Sequence, residues 1–197
     1  MKHIYTIGHS NHTIGELIRI LKLFSIDVVV DVRSIPKSEY NPHFNIENIE
    51  KKLSLAQIRY LHFGKEFGAK RDEAEAYTNG MVDFEKVKKL PNFLHGVQRI
   101  SDGLDKNFII TLMCSEKDPL DCHRFSLISK ALYEMLQIDI KHILSDGSVI
   151  NHLDLIKEML KNGGFFNFFT EDDERYYIDE LFIGLGKKIA YQKKGII

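Results

Sequence analysis

The sequence predicts an α/β fold: three layers, α/β/α, around a mainly parallel sheet of about five strands, followed by a C-terminal extension. Short β-branched or apolar runs alternate with longer segments of helical period. Such alternation indicates parallel strands joined by crossover helices on both faces. The run VVVDV at 28–32 is almost continuously apolar, which is typical of a strand covered on both sides. Five strand–helix units are too few for an eight-stranded barrel.

Five runs have the length and composition of strands. They are HIYTIG at 3–8, IDVVVDVRS at 26–34, IRYLHF at 58–63, NFIITLMC at 107–114 and IDIKHILSDG at 138–147.

Helical segments separate these strands. Thr13 and Glu16 have the spacing of a capping box, which predicts a helix start in TIGELIRILKLF. The segment 83–104 is helical with a break expected at Pro91. The other predicted helices are NIENIEKKLSL at 45–55, DPLDCHRFSLISKALYEML at 118–136 and INHLDLIKEMLKN at 150–162.

Length and composition indicate one domain, residues 1–164, and a tail, residues 165–197, that packs on the domain or on a partner. We expect the aromatic run FFNFF in this tail to pack on the core. The chain has 27 basic and 28 acidic residues, so its net charge gives no support to a nucleic-acid or membrane partner. It has no signal-peptide pattern and no apolar run of membrane-spanning length, which predicts a cytoplasmic protein.

Polar residues follow most of the predicted strands. In an open parallel sheet the carboxyl ends of the strands line the ligand crevice, so these residues are the first candidates for a site. They are Gly8, His9 and Ser10 after the first strand, Asp31, Arg33 and Ser34 after the second, His62, Gly64 and Lys65 after the third, and Cys114 and Glu116 after the fourth.

Two arginines predict an anion site at this edge. Arg33 follows a buried strand, and Arg124 falls on the apolar face of a helix that would begin near Pro119. An arginine there should reach over the strand ends, where the helix N-terminus adds partial positive charge. The alternative is structural: Asp31 closes the sheet edge in an ion pair, and Arg124 pairs with Asp31 or Glu116 without a ligand.

The two cysteines leave several interpretations open. Cys114 ends a buried strand, where a free thiol usually packs as a small apolar group. Cys122 lies near His123 and Arg124, a setting that favours a reactive thiol. On a helix beginning near Pro119, Cys122 and His123 would point about 100° apart, so they could not easily bind one ion. We therefore predict no metal ion and no cofactor.

Five segments together resemble the DUF488 family of prokaryotic proteins of unknown function. They are TIGHSNHT, VVVDVRSIPKS, IRYLHFGKEFGA, LMCSEKDPLDCHR and HILSDGS, which lie in this order between about residues 4 and 150. The third segment departs from the family's glycine pair, because it has Phe67, Gly68 and Ala69. The resemblance implies a shared site, without supplying a reaction, formed by Gly8, His9, Ser10, Asp31, Arg33, Ser34, Pro36, Cys114, Glu116, Pro119, Cys122, His123 and Arg124.

The function we predict is an enzyme that acts on an anionic, phosphate-bearing and nucleotide-like substrate by hydrolysis or group transfer. The candidate catalytic residues are Glu116, Asp31 and Cys122. The candidate substrate-binding residues are Gly8, His9, Ser10, Arg33, Ser34, Lys65, His123 and Arg124. Two alternatives remain open: a non-catalytic module associated with a ligand or with nucleic acid, and a thiol-based redox protein centred on Cys114 and Cys122.

Overall fold

A six-stranded sheet forms the centre of the computed structural model, which describes residues 2–9, 12–162 and 171–193. The strand order is β3-β2-β6-β1-β7-β8, with β4 and β5 forming a separate hairpin. All pairs in the large sheet are parallel except β7 with β8. The strands are β1 (His3–Gly8), β2 (Val28–Asp31), β3 (Arg59–His62), β4 (Tyr77–Thr78), β5 (Met81–Val82), β6 (Ile110–Cys114), β7 (Asp139–Ile143) and β8 (Val149–Asn151).

Helices cover both faces of the sheet, which confirms the predicted α/β fold. They are α1 (Ile14–Leu23), α2 (Ile46–Leu55), α3 (Gly64–Phe67), α4 (Phe84–Val87), α5 (Pro91–Asp105), α6 (Lys130–Leu136), α7 (His152–Asn162) and α8 (Glu171–Ile189). Val29 of β2 packs in a buried cluster with Leu17 and Leu21 of α1. Its neighbour Val30 faces the opposite way, into a cluster with Ile100 of α5. This two-sided burial is the reason that β2 is apolar at successive positions.

Several local predictions hold. Thr13 and Glu16 form the capping box, in which the Thr13 hydroxyl accepts from the Glu16 amide and the Glu16 carboxylate accepts from the Thr13 amide. Pro91 separates α4 from α5 and occupies the first turn of α5, where its missing N–H costs no helical hydrogen bond. The sheet has one strand more than expected, because Val149–Asn151 pairs antiparallel with β7 immediately before α7.

The segment 118–136 is not the continuous helix that the sequence indicates. Pro119–Asp121 form one turn of 3₁₀-helix, and Cys122 is extended, with φ −134° and ψ 140°. A π-helical stretch, Arg124–Ser129, then leads into α6. Asp118 caps the 3₁₀ turn through its side chain and the amide of Leu120, which stabilises this early turn as a separate element. The rotation assumed for Cys122 and His123 was therefore wrong.

The C-terminal helix α8 contacts the rest of the chain through both apolar and charged side chains. Phe182 is buried and stacks on Phe125, with ring centroids 5.4 Å apart. Asp179 accepts from the buried Lys130 at 3.0 Å. The FFNFF run at 165–169 lies outside the described residues. Within the described part of the chain, no helix has both the length and the apolarity to cross a membrane, and a cytoplasmic location stays a prediction.

Candidate functional site

Four side chains with metal-binding or nucleophilic atoms meet at the carboxyl edge of the sheet. They belong to Cys114, Glu116, Cys122 and His123, and one ligand atom from each lies within 4.8 Å of all the others. The Glu116 Oε2 atom accepts from both thiols, at 2.8 Å from Cys114 Sγ and 3.1 Å from Cys122 Sγ. The Nδ1 atom of His123 lies 3.8 Å from each sulfur. We call these four residues the thiol cluster.

The local backbone explains how the cluster forms. Cys114 is the last residue of β6, and its carbonyl accepts from the amide of His9 at 3.0 Å. Cys122 is extended whereas His123 has helical backbone angles, so their side chains are not held about 100° apart as on one helix, and both reach the cluster. His123 also donates from Nε2 to the Val32 carbonyl at 3.2 Å, so its ring is fixed against β2.

Arg124 supports the loop that carries Glu116. Its guanidinium is fully buried and donates from Nη1 to the Glu116 carbonyl at 2.8 Å and from Nη2 to the Lys117 carbonyl at 3.1 Å. Among the described residues no carboxylate lies within ion-pair distance of it, and its Nε has no hydrogen-bond partner. Arg124 thus reaches the strand ends, as predicted, but its two terminal nitrogens bind the protein backbone.

Asp31 and Arg33 form a buried ion pair beside the cluster. Arg33 Nη2 lies 2.5 Å from Asp31 Oδ2, and Nε lies 2.9 Å from Asp31 Oδ1. Tyr60 donates its hydroxyl to Asp31 Oδ2 at 2.7 Å, and Arg33 also donates to the Phe44 carbonyl at 2.8 Å. This is the structural ion pair that the sequence left open for Asp31, and it occupies much of the Arg33 guanidinium.

His9 connects this ion pair to the end of β1. Arg33 donates from Nη1 to His9 Nε2 at 3.1 Å, so the imidazole carries its proton on Nδ1. Burial, followed by the nearby charge of Arg33, lowers the pKa of His9 to about 4. The ring is therefore neutral near pH 7, and it stacks on Phe44 at a centroid distance of 4.1 Å.

The two thiols of the cluster differ in acidity. Burial and the contact with Cys122 hold the pKa of Cys114 well above its usual value. Burial also acts to raise the pKa of Cys122, but the hydrogen bond with Cys114 and the charges of His123 and Arg124 outweigh it, so this pKa lies well below the usual value. Burial acts to lower the pKa of His123, but the contact with the Cys122 sulfur raises this pKa by a larger amount. The net shift of the His123 pKa is therefore upward. Cys122 is therefore the more acidic of the two thiols.

The other predicted site residues lie around this edge in different settings. Gly8 faces the Glu116 carbonyl, and a Cβ placed on Gly8 would lie only 1.8 Å from that oxygen. Ser34 accepts from the amide of Lys70 at 2.8 Å and so holds the loop after α3. Lys65 is exposed on α3, directly after β3. Ser10 lies outside the described residues.

Sequence reasoning missed Tyr60 and the role of Phe44. Tyr60 lies on β3 beside Val29 and reaches Asp31 with its hydroxyl. A tyrosine in a buried strand needs a partner for that hydroxyl, and this was the signal available in the sequence. The Phe44 carbonyl gives no such signal, because a backbone acceptor is the same at every residue.

Comparison of the chain with known proteins yields a match to one family model. No curated protein and no solved structure matches the chain. The model of the family described as "Domain of unknown function DUF488" matches residues 13–132, which is more than half of the 197 residues and includes most of the site. The chain therefore belongs to the DUF488 family.

Proposed function

We propose that this chain is an enzyme that performs hydrolysis or group transfer on an anionic, phosphate-bearing substrate at the carboxyl edge of its sheet. The observation that carries the proposal is the thiol cluster itself, in which two thiols, an imidazole and a carboxylate lie within 4.8 Å of one another. A fold that only needed a packed core would gain nothing from collecting these groups at one buried point, because burying polar groups costs free energy.

The position of the cluster supports a reaction centre. Cys114 ends β6, a central strand between β1 and β2, and ligands of open parallel sheets bind outside the carboxyl ends of such strands. Residues from three separate segments converge there: 8–9, 31–33 and 114–124. Chemistry-bearing groups brought together from distant parts of a chain are typical of active sites.

The charge beside the cluster supports an anionic substrate. Arg124 is a buried cation without a carboxylate partner in the described residues, and its field favours negative charge nearby. Arg33 is largely balanced by Asp31. The exposed Lys65 is free to approach a phosphate without breaking any structural contact that the described residues show, so we assign it a direct role in substrate binding.

Within this proposal Glu116 is the group that transfers protons. Its carboxylate is half-buried, and its Oε1 accepts from the Ser115 hydroxyl at 3.2 Å while Oε2 faces the thiols. Both carboxylate oxygens of Glu116 are therefore held by neighbouring side chains, and the loop that carries this residue directly follows β6. Asp31 is a weaker candidate, because Arg33 and Tyr60 already occupy both of its oxygens.

A dithiol redox function is the second candidate, favoured by one observation. Cys114 and Cys122 donate to the same oxygen of Glu116, so their sulfurs are neighbours, and both are free thiols. In such a reaction the two thiols release two protons and two electrons to a substrate disulfide, which leaves as two thiols while Cys114 and Cys122 become joined.

A thermal-shift screen against nucleotides, sugar phosphates and oligonucleotides, followed by turnover assays on the compounds that bind, tests the leading proposal. We expect a nucleotide or sugar phosphate to raise the melting temperature and to be turned over. Lys65→Gln should reduce that shift, whereas Lys106→Gln, an exposed lysine at the opposite edge of the sheet, should not. Glu116→Gln should retain the shift and lose turnover.

Three results would argue against this proposal. If Glu116→Gln keeps both the ligand-induced rise in melting temperature and full turnover, Glu116 does not take part in the reaction. Binding without turnover of any compound in the screen would favour the non-catalytic module. Reduction of a disulfide substrate by the wild type, lost in both Cys114→Ser and Cys122→Ser, would favour the redox function instead.

A further inference from the structure

We infer that the thiol cluster binds one divalent transition-metal ion such as zinc. The four ligand atoms are Cys114 Sγ, Cys122 Sγ, His123 Nδ1 and Glu116 Oε2. The inference rests on the proposed function only in treating this edge as the reaction centre. Metal binding itself is measured without any substrate.

The geometry of the cluster is close to that of a tetrahedral site. Ligand atoms around a four-coordinate zinc ion, with metal–ligand distances of about 2.0 to 2.3 Å, lie roughly 3.3 to 3.8 Å from one another. The imidazole Nδ1 lies 3.8 Å from each sulfur, and Glu116 Oε2 lies 2.8 and 3.1 Å from the sulfurs. The carboxylate oxygen is closer to the sulfurs than a zinc ligand would be, so it moves away from them when the four atoms surround an ion.

The tautomer of His123 suits a ligand. A carbonyl oxygen can only accept, so the contact with the Val32 carbonyl fixes a proton on Nε2. In the neutral ring Nδ1 then carries the lone pair, and this atom faces the sulfurs. Metal-binding histidines commonly donate their other ring N–H to a backbone carbonyl in this way, which orients the ring and makes the free nitrogen a better donor.

The charges around the cluster favour a bound cation. Two thiolates and a carboxylate cannot be buried together without strong repulsion, whereas a divalent ion leaves the four-ligand site with a single negative charge. Arg124 is fully buried without a carboxylate partner among the described residues, and it can balance that charge. Its backbone amide also donates to Cys122 Sγ at 3.4 Å, a contact that stabilises a thiolate.

The donor atoms select the class of metal. Two thiolates and an imidazole are soft or borderline ligands, which suit zinc and similar transition metals, whereas magnesium and calcium require mainly oxygen donors. Cys114 comes from β6, Glu116 from the loop after it, and Cys122 and His123 from the junction between the 3₁₀ turn and the next helical stretch. An ion there would join the end of β6, the Glu116 loop and the start of the next helical segment, and Glu116 Oε1 would stay beside the Ser115 hydroxyl.

The test is the metal content of the full chain, purified under reducing conditions without chelator, with a Co²⁺ titration of the metal-free protein. We expect about one zinc per chain, and on Co²⁺ addition the intense visible bands of a tetrahedral site with thiolate-to-cobalt charge transfer. Protein whose two thiols are free by thiol assay, and which binds neither Zn²⁺ nor Co²⁺, would overturn the inference without need of any variant.

Four variants locate the metal. Cys114→Ser and Cys122→Ser should lose the charge-transfer bands and nearly all metal, and Glu116→Gln should weaken Zn²⁺ affinity by more than the roughly 10- to 100-fold that an outer-shell change costs. Asp121→Asn, an exposed carboxylate next to Cys122 in the chain, is the matched control and should keep full occupancy. Unchanged metal content in both serine variants would place the ion elsewhere and overturn the inference.

The failure of this inference and the failure of the proposed function give different results. If the protein binds zinc but no phosphate-bearing ligand, the metal site is supported and the proposed substrate class is wrong. If protein that contains no metal shows full turnover, and Co²⁺ addition produces no visible bands, the proposed enzyme is supported and the metal site is wrong.

Discussion

Arg124 donates a hydrogen bond of 2.8 Å from Nη1 to the backbone carbonyl of Glu116. A second bond, from Nη2 to the carbonyl of Lys117, fixes the same loop at 3.1 Å. Gly8 also lies against the Glu116 carbonyl. The position of Glu116 therefore depends on the buried guanidinium of Arg124 and on the absence of a side chain at Gly8, the last residue of β1.

Arg124→Lys tests the structural part of this arrangement. Lysine keeps the charge but cannot supply two N–H groups in the planar geometry of a guanidinium, so a buried carbonyl loses its donor. We expect the free energy of unfolding to fall by about 2 to 4 kcal/mol, measured by urea denaturation. Arg19→Lys, at an exposed position of α1, should change it by less than about 0.5 kcal/mol. Wild-type stability in Arg124→Lys would contradict the role of these bonds.

Gly8→Ala tests the close approach of the backbone. The added Cβ would lie 1.8 Å from the Glu116 carbonyl oxygen and 3.2 Å from Arg124 Nη2. We expect a loss of about 3 kcal/mol or more in the free energy of unfolding, because β1 or the Glu116 loop must shift.

Gly184→Ala is the control for Gly8→Ala. It lies in α8, with no atom within 4 Å of the added Cβ, so we expect unchanged or slightly increased stability, by up to about 1 kcal/mol. Equal effects of the two substitutions would show that close packing at Gly8 is not the cause.

Much of the fold follows from local patterns in the sequence. The capping box of Thr13 and Glu16, the break at Pro91 and the apolar run of β2 each depend on a few neighbouring residues, and each is found in the structure. The sixth strand was missed because Val149–Asn151 is short and is stabilised by pairing with β7. Pairing of that kind is a tertiary effect that the local pattern does not contain.

The candidate site was predicted less completely than the fold. The strand-end rule placed Cys114 and Glu116 at this edge, but the helix predicted to carry Cys122 and His123 was started too early. Helical periodicity after Cys122 is strong, and nothing in it shows that Cys122 itself is extended. One residue outside the helix reverses the conclusion, because helical rotation then no longer sets the angle between the Cys122 and His123 side chains.

The buried pair His142 and His152 predicts a pH dependence of stability. Thr6 contacts His142 Nδ1 at 2.8 Å, and His142 Nε2 lies 3.1 Å from His152 Nδ1. Burial, followed by the charge of Lys130, lowers the pKa of His152 to about 3. Burial, followed by the charges of His152 and Arg124, holds the pKa of His142 well below its usual value.

The sign of the effect follows from these shifts. Between about pH 6.5 and pH 3 the unfolded chain binds protons that the folded chain excludes, so stability is complete above pH 6.5 and falls as the pH decreases through this range. His152 alone should remove about 2 kcal/mol between pH 7 and pH 5. Urea denaturation across this range measures the slope, which His152→Gln should reduce and His95→Asn, an exposed control, should leave unchanged. A flat profile in the wild type would contradict the buried neutral pair.

X-ray absorption at the zinc edge of the purified full chain measures most directly whether the thiol cluster is a metal centre. We predict two sulfur atoms at about 2.3 Å and two nitrogen or oxygen atoms at about 2.0 Å around each zinc ion. A first shell of nitrogen and oxygen alone would contradict the account, because it would show that the bound ion has neither Cys114 nor Cys122 as a ligand.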